Sequence, residues 1–249
     1  LLQLLGSQND MATIRLIDWR EHQIFVKDHF PVDVHTNEAV FDIQFGNVKR
    51  NTHENTSWDF AKFEVCHHKW LDVSEEGYGV SVLNDCKYGV SVRGTDIGLS
   101  MLKSGIYPNP EADQEHHEFV YSIFPHRGSW KESGTVAQAY ELNNPMKAVV
   151  KENQGGSLKE SYSLLKTDLE NVVIETVKMG EEDETLVVRL YECFNKRDRG
   201  TLFCGEEIQE VFQCNMLEQE EVPVEHTDHE ISFSVKPFEI KTFKIRLKN

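Results

Sequence analysis

Residues 78–92 read Tyr-Gly-Val-Ser-Val-Leu-Asn-Asp-Cys-Lys-Tyr-Gly-Val-Ser-Val. Apolar residues alternate with small or polar ones on both sides of a central Asn-Asp-Cys-Lys-Tyr-Gly segment. A period of two is typical of β-strands, and Asn, Asp and Gly are residues that turns favour. The stretch therefore predicts two strands of a sheet joined by a loop, Asn84–Gly89.

The loop lies within residues 51–127, where Trp, His, Asp, Asn and Tyr are denser than elsewhere in the chain. Proteins use these side chains to hold sugars and polar ligands. The segment contains two histidine pairs, His67-His68 and His116-His117. Neighbours on a regular strand point to opposite faces, so neither pair can offer both rings to one metal ion. A zinc site could still take one histidine from each pair together with Asp113 or Cys66. Dedicated metal-ligand spacings are missing, so we predict structural or surface histidines and no metal site in this chain.

Similar alternation recurs along the chain. A strand with Leu2 and Leu4 and a turn at residues 6–10 are predicted first. Strand-like runs follow at 12–19, 24–32, 40–46, 63–72, 99–102 and 118–124, the last ended by Pro125. A weak helical pattern lies near residues 130–142. Residues 151–160 are polar and glycine-rich, which predicts a boundary. Beyond it, short runs spaced about ten residues apart predict a β-sandwich.

Charge and composition limit the partners. The chain has 249 residues, 26 Lys and Arg, 42 Asp and Glu, and a net charge of −16. This charge repels phosphate backbones and anionic membrane surfaces, which argues against nucleic-acid and membrane partners. Acidic runs at 181–184 and 218–221 predict solvated hairpin tips. Five cysteines without framework spacing predict free buried thiols in a reducing, cytoplasmic compartment.

Asp85 is the carboxylate best placed to reach a ligand, because a loop on a rigid sheet presents it. The alternative for Asp85 is a turn-forming role, with its carboxylate bonded to the backbone. Lys87 could bind ligand hydroxyls or lie in solvent, and it could lower the pKa of the neighbouring Cys86 thiol. Trp58 and Trp70 could stack on a sugar, or lie buried as sheet aromatics commonly do.

Three segments carry a resemblance to a known family. They are residues 50–70, with Asn-Thr-Ser-Trp-Asp-Phe-Ala-Lys-Phe-Glu-Val-Cys-His-His-Lys-Trp at 55–70, residues 83–89, and residues 110–126. These segments closely resemble the C-terminal region of glycoside hydrolase family 38 α-mannosidases, in the bacterial and cytosolic or vacuolar branch. Residues 14–46 and 238–242 fit the same family, so the resemblance covers nearly the whole chain.

The resemblance implies an all-β fold. Residues 1–152 would be the C-terminal part of a large antiparallel supersandwich of the galactose-mutarotase type, and residues 158–249 a smaller β-sandwich. In that family the nucleophile, the acid partner and the zinc ligands belong to an N-terminal α/β domain. We therefore expect no catalytic residue or metal ligand here, and zinc or a similar divalent ion in the full-length enzyme. The chain begins without Met in a strand-like run, so we expect a fragment of a longer protein.

The resemblance also implies a role for the loop. In related enzymes the loop corresponding to Asn84–Gly89 faces the catalytic domain and helps line the outer sugar-binding region. Asp85, Lys87 and Tyr88 are therefore predicted to contact a mannose-containing oligosaccharide in a retaining α-mannosidase. Some relatives carry an Asp-Arg type pair where this chain reads Asp-Cys-Lys-Tyr. The chain would support its own N-terminal catalytic domain and be inactive alone, and a homo-oligomer stays open.

Two other functions fit the residue types. An autonomous carbohydrate-binding module would use the aromatic and acidic loops and bind mannose without a catalytic domain. A mutarotase-like epimerase would use His67 or His117 with a carboxylate.

Overall fold

The computed structural model describes residues 2–3, 11–150, 155–156 and 160–248. The chain divides into two compact units, Leu1–Ala148 and Val149–Asn249. The predicted turn at residues 6–10 and most of the polar segment before residue 160 lie outside the described residues. No helix in these ranges is long and apolar enough to span a membrane.

The first unit consists of antiparallel strands and two short helices. Its elements are β1 (Leu2–Gln3), β2 (Met11–Asp18), β3 (Phe25–Pro31), β4 (Glu38–Ile43), β5 (Gly46–Asn51), α1 (Ser57–Ala61), β6 (Val65–Cys66), β7 (Trp70–Glu75), β8 (Tyr78–Asn84), β9 (Gly89–Arg93), β10 (Asp96–Lys103), β11 (His116–Arg127) and α2 (Thr135–Asn143). A seven-stranded sheet has the order β1-β2-β11-β8-β7-β4-β5, and a four-stranded sheet the order β3-β10-β9-β6. The two sheets share one apolar core, so this unit is a sandwich.

Strand β8 occupies the middle of the larger sheet, between β11 and β7. Val80 and Val82 face the sandwich core, and the alternate residues Ser81 and Leu83 are also buried. Helix α2 lies against β8 and β7 and bonds Ser81 through Thr135. Both faces of β8 are thus covered, which makes its C-terminal end a rigid support for the loop that follows.

The second unit is a smaller sandwich. Its strands are β12 (Leu165–Thr167), β13 (Val172–Met179), β14 (Leu186–Glu192), β15 (Asp198–Cys204), β16 (Ile208–Cys214), β17 (Val222–Pro223), β18 (Glu230–Val235) and β19 (Ile240–Leu247). A three-stranded sheet has the order β12-β15-β18, and a five-stranded sheet the order β13-β14-β19-β16-β17. Residues of both sheets, among them Leu202, Phe233 and Phe243, form one core. The predicted all-β class with antiparallel sheets is confirmed.

Several element predictions were wrong in detail. The run at 63–72 is not one strand, because β6 belongs to the four-stranded sheet and β7 to the seven-stranded sheet. Phe45 lies in the tight turn between β4 and β5 with φ of 54° and does not continue the strand. Pro125 lies inside β11, beyond Ile123, where the described partner of β11 is β8 alone.

Candidate functional site

The loop Asn84–Gly89 crosses from one sheet of the first unit to the other. Its first residue ends β8 in the seven-stranded sheet, and its last begins β9 in the four-stranded sheet. Within the loop Asp85 and Lys87 are half-buried, and Cys86 and Tyr88 are exposed. The three predicted contact residues therefore lie together on one short crossing segment.

A buried pair of side chains holds this crossing. Asn84 and His67 are each 0% exposed. The Asn84 amide nitrogen lies 2.9 Å from His67 Nε2 and 2.7 Å from the His68 carbonyl oxygen, and its Oδ1 accepts a 2.7 Å bond from the Lys87 backbone N–H. Asn84, and not Asp85, is thus the side chain that forms the turn. The quoted stretch carried this signal, since Asn favours turns as strongly as Asp does.

His67 bonds the far end of the loop. Its backbone N–H donates to the Tyr88 carbonyl oxygen at 2.9 Å, and its Nδ1 lies 3.1 Å from the same oxygen. Nδ1 therefore carries the proton, and Nε2 accepts from the Asn84 amide. Burial is the main cause that lowers the pKa of His67 to about 4, which keeps the ring neutral at pH 7. A fully buried ring committed to two loop residues cannot serve as the base of an epimerase.

The neighbouring crossing, residues 67–69, is held by Asp42 on β4. Asp42 Oδ2 accepts from the Lys69 backbone N–H at 2.8 Å, and the Asp42 carbonyl oxygen accepts from the His68 N–H at 3.0 Å. The carboxyl is buried, and desolvation raises its pKa to about 6, although the bond from Lys69 opposes this shift. The histidine pair 67–68 therefore lies in an irregular crossing, and the regular strand assumed for it was wrong.

Asp85 is fixed through its backbone, whereas its carboxylate is incompletely bonded. Its N–H donates to the Val120 carbonyl oxygen at 3.1 Å. Its Oδ1 is buried and has no hydrogen-bond partner among the residues that the structure describes. Most buried acceptors in proteins are bonded, and one without a donor costs roughly 1–3 kcal/mol. The loop thus carries a carboxylate oxygen that no donor of the described residues satisfies.

The other two predicted contact residues rest on aromatic rings. The Lys87 ammonium lies 4.6 Å from the centroid of the Phe119 ring. The Tyr88 ring meets the His68 ring edge to face, with 5.3 Å between centroids, and remains 47% exposed. The Asp85 carboxylate offers an acceptor, the Lys87 ammonium a donor and the Tyr88 ring an apolar face. Such groups bind sugar hydroxyls and sugar faces.

The predictions for the cysteines and tryptophans hold for some residues and fail for others. Burial, and then Asp85, raises the pKa of the Cys86 thiol to about 11; Lys87 lowers it as predicted, but the other two causes outweigh this effect. Cys66 and Cys86 are exposed, although all five cysteines were predicted to be buried. Trp70 is 1% exposed and packs on Trp130 with 4.8 Å between ring centroids, as a core residue. Trp58 on α1 is 78% exposed.

The described residues contain no group of three or more His, Cys, Asp or Glu side chains that could hold a metal ion. His126 Nε2 lies 2.7 Å from Asp72 Oδ2, and Ser81 donates to the same oxygen at 2.8 Å. His117 Nε2 lies 2.8 Å from the Asp113 carbonyl oxygen. Zinc would need three or four such ligands around one point, so these residues do not fit a zinc centre.

Comparison with known families matches both units. The model of the glycosyl hydrolases family 38 C-terminal domain matches residues 8–111, and that of the family 38 C-terminal beta sandwich domain matches residues 171–243. The chain belongs to glycosyl hydrolase family 38. The resemblance predicted from the sequence is thereby confirmed.

Relatives of this family 38 chain are longer proteins. It is 38% identical to human alpha-mannosidase 2C1 over 93% of this chain and 23% of that protein. It is 36% identical to an alpha-mannosidase of Saccharomyces cerevisiae over 96% of this chain and 24% of that protein. The chain thus spans about a quarter of the length of the curated relatives it matches.

Solved structures show the same fold. A crystal structure of an alpha-mannosidase from Enterococcus faecalis matches with a TM-score of 0.78 and 19% identity, covering 96% of this chain and 27% of that one. A second, of a family 38 protein from Enterococcus faecalis, has a TM-score of 0.76 and 19% identity, covering 96% of this chain and 28% of that one.

Proposed function

We propose that this chain is the C-terminal β region of a retaining α-mannosidase that hydrolyses terminal α-linked mannose. In this proposal its domains are residues 1–152 and 158–249. The region supports the catalytic domain, and loop Asn84–Gly89 lines part of the sugar pocket through Asp85, Lys87 and Tyr88. The proposal extends to a cytoplasmic location, which the free cysteines support.

The unbonded Oδ1 of Asp85 carries the proposal. A sugar hydroxyl is a donor that can bond a carboxylate, and a bond to a charged acceptor is stronger than one between neutral groups. Lys87, two residues further along the loop, supplies a cation over the Phe119 ring, and the exposed Tyr88 ring supplies an apolar face. These groups are typical of sugar recognition, whereas the same loop offers no activated nucleophile, since the pKa of Cys86 is raised.

The chemistry of bond cleavage belongs elsewhere in the proposal. Zinc, as the resemblance implies, would be held outside this chain, since the described residues do not fit it. In the proposal this region positions the loop Asn84–Gly89. Asn84 and His67 fix the loop by hydrogen bonds, and the two sheets fix Asn84 and His67. A pocket formed in this way needs rigid support around each contact residue.

The test uses the full-length protein and an aryl α-mannoside. We expect Asp85→Ala and Lys87→Ala each to raise KM about threefold to tenfold, the range of one lost hydrogen bond. Asp33→Ala is the matched control, because that carboxylate is 98% exposed and remote in sequence from the loop. Unchanged KM in both loop variants would refute the pocket assignment. Turnover of an aryl mannoside by the isolated chain with added zinc would refute the division of labour.

A second candidate is an autonomous carbohydrate-binding module. The exposed side chains of Trp58 and Tyr107, 78% and 90% accessible, favour it, because such rings stack on sugar faces. Calorimetric titration of the isolated chain with mannose and mannobiose separates the two candidates. Millimolar or tighter binding, lost in Trp58→Ala, would favour the module; no heat of binding favours the pocket that needs its catalytic domain.

A further inference from the structure

Two side-chain hydrogen bonds join helix α2 to strand β8, one near each end of the helix. At its start Thr135 Oγ1 lies 2.8 Å from Ser81 Oγ, where both residues are buried. At its end the Asn143 amide nitrogen donates to the Asn84 carbonyl oxygen at 3.0 Å. The helix therefore holds the last four residues of the strand that delivers the loop.

The second contact involves the peptide unit that joins Asn84 to Asp85. Its carbonyl oxygen accepts from Asn143, and its N–H donates to the Val120 carbonyl oxygen at 3.1 Å. A peptide unit is planar, so bonds at both its oxygen and its nitrogen fix the orientation of the plane. The plane in turn sets the backbone direction from which the Asp85 side chain projects.

Asn143 has a neighbour that lacks this contact. The Asn143 amide also donates to the Ala139 carbonyl oxygen at 2.8 Å, one turn earlier in α2. Asn144 donates in the same way to the Tyr140 carbonyl oxygen at 3.0 Å, and its side chain is exposed. In the part of the chain that the structure describes, the two residues thus share the helix-end bond and differ in the bond to Asn84.

We propose that Asn143 is a positioning residue for sugar binding, which acts by orienting the peptide before Asp85. This inference rests on the proposed function, because it requires Asp85 to contact the sugar. It adds a residue distant in sequence from the loop and assigns α2 a role in substrate affinity. Asn143 itself touches no substrate.

The test is a double-mutant cycle in the full-length protein, with KM and kcat measured on mannobiose and an aryl α-mannoside. Asn143→Ala is expected to raise KM about threefold to tenfold with little change in kcat, as loss of one hydrogen bond predicts. In the Asp85→Ala background the same substitution is expected to add nothing, since coupled residues are not additive. Asn144→Ala, which removes only a helix-end bond, is expected to leave KM unchanged.

Each outcome bears on the inference. If Asn143→Ala and Asn144→Ala have equal effects, or if Asn143→Ala raises KM as much without Asp85 as with it, Asn143 is merely structural and the inference is wrong. If Asp85→Ala leaves KM unchanged, the proposed function fails, and the inference fails with it. If Asn143→Ala does not fold, Asn143→Ser decides instead, because a serine hydroxyl can bond the carbonyl one turn back but is too short to reach Asn84.

Discussion

Two acid-bearing segments of the molecule differ in how completely their carboxylates are hydrogen-bonded. In the loop of the first unit, Asp85 has a buried oxygen without a partner among the described residues. In the second unit, Asp183 accepts from the Lys244 ammonium at 2.7 Å, from the Thr185 hydroxyl, and from the Thr185 N–H at 3.1 Å. An aspartate thus has an oxygen without a described hydrogen-bond partner in the first unit, and an aspartate with both oxygens bonded lies in the second.

The acidic runs of the second unit, residues 181–184 and 218–221, lie between strands and are exposed as predicted except for Glu218, although several members also pair with lysines. Lys244, with a side chain only 6% exposed, pairs with Asp183 and with Glu221 at 2.6 Å. Glu218 pairs with Lys178 at 2.7 Å. Paired in this way, these carboxylates are expected to stabilise the unit that contains them. Asp85 Oδ1 has no such partner among the described residues, and a buried polar atom without a partner is one to test for function.

The largest expected effect concerns the support beneath the open loop. Asn84→Ala removes three hydrogen bonds of a fully buried side chain and leaves the Lys87 N–H without its acceptor. We expect a loss of about 3–4 kcal/mol in the free energy of unfolding, because buried groups would lose their partners. All four tryptophans lie in the first unit, so urea unfolding followed by tryptophan fluorescence reports this unit alone. A loss below about 1 kcal/mol would show that the loop is held by other contacts.

The next effect is a difference in pH dependence between the two segments. The pKa of His67 is lowered from 6.5 to about 4, so between these values the unfolded chain binds a proton that the folded chain does not. Stability is therefore lost as pH falls from 6.5 to 4, by about 3 kcal/mol. His67→Gln should remove that slope, measured as the difference in unfolding free energy from wild type at each pH. Asp42 has the opposite slope, because its raised pKa stabilises the folded state as pH falls towards 4. Since Asp42 is present in both proteins, its contribution cancels when the unfolding free energies of variant and wild type are subtracted.

His116→Gln, at an exposed position, is the matched control for that titration and should keep the wild-type slope. The acidic cluster of the second unit should respond at lower pH. The pKa of Asp183 is lowered to about 2 by Lys244 and then Thr185, so its contribution is present above pH 3.8 and is lost as pH falls towards 2. If the second unit unfolds at a higher pH than the first on acidification, the predicted order of pH sensitivity is wrong.

A smaller effect is expected when the bonded cluster is opened. Lys244→Met leaves Asp183 and Glu221 without their shared cation. Because these acids are 34% and 39% exposed, water compensates in part, and we expect a loss of about 1–2 kcal/mol. Amide hydrogen exchange in β14 and β19 measures it, with the exposed Lys166→Met as control. Equal protection in both variants would mean that the cluster adds nothing to stability.

The smallest effect on stability is expected at Asp85. Asp85→Ala removes a carboxylate whose buried oxygen is unbonded, so the unfolding free energy should change by less than about 0.5 kcal/mol or rise slightly. Asp183→Ala, the matched substitution in the bonded cluster, should cost about 1 kcal/mol after allowance for its exposure. If Asp85→Ala destabilises more than Asp183→Ala, Asp85 has a structural partner and the contrast between the two segments disappears.

Sequence patterns predicted the strands well where burial follows alternation. Strand β18 is buried at every second residue, and the alternation of apolar and polar residues at 231–235 predicts it. Patterns failed where the chain leaves one sheet for another, because nothing in the residue types of 63–72 marks the point at which the sheet partner changes between Cys66 and Trp70. Helix α1 was missed because its five residues provide no buried apolar side chain, and its N-terminus has a capping box between Thr56 and Asp59.

The candidate site was predicted in its location but not in its supports. Asp, Lys and Tyr on a turn can be identified from one short stretch. His67 and Asn143 cannot, because their contacts with the loop join residues 17 to 59 positions apart in sequence. Nor does residue type reveal that Asp85 Oδ1 lacks a partner among the described residues whereas both oxygens of Asp183 are bonded, since this depends on which donors the fold brings within reach.

The crossing of the loop between two sheets has an evolutionary consequence. Residues 85–88 join strands whose positions are set by a shared core, so the loop has a required length. A deletion would strain the sandwich, and an insertion would move the bonds that Lys87 and Tyr88 make to their supports. Changes in sugar preference at this position should therefore arise by exchange of side chains at constant loop length. Homologous enzymes with different substrates should differ here in residue identity more often than in the number of residues.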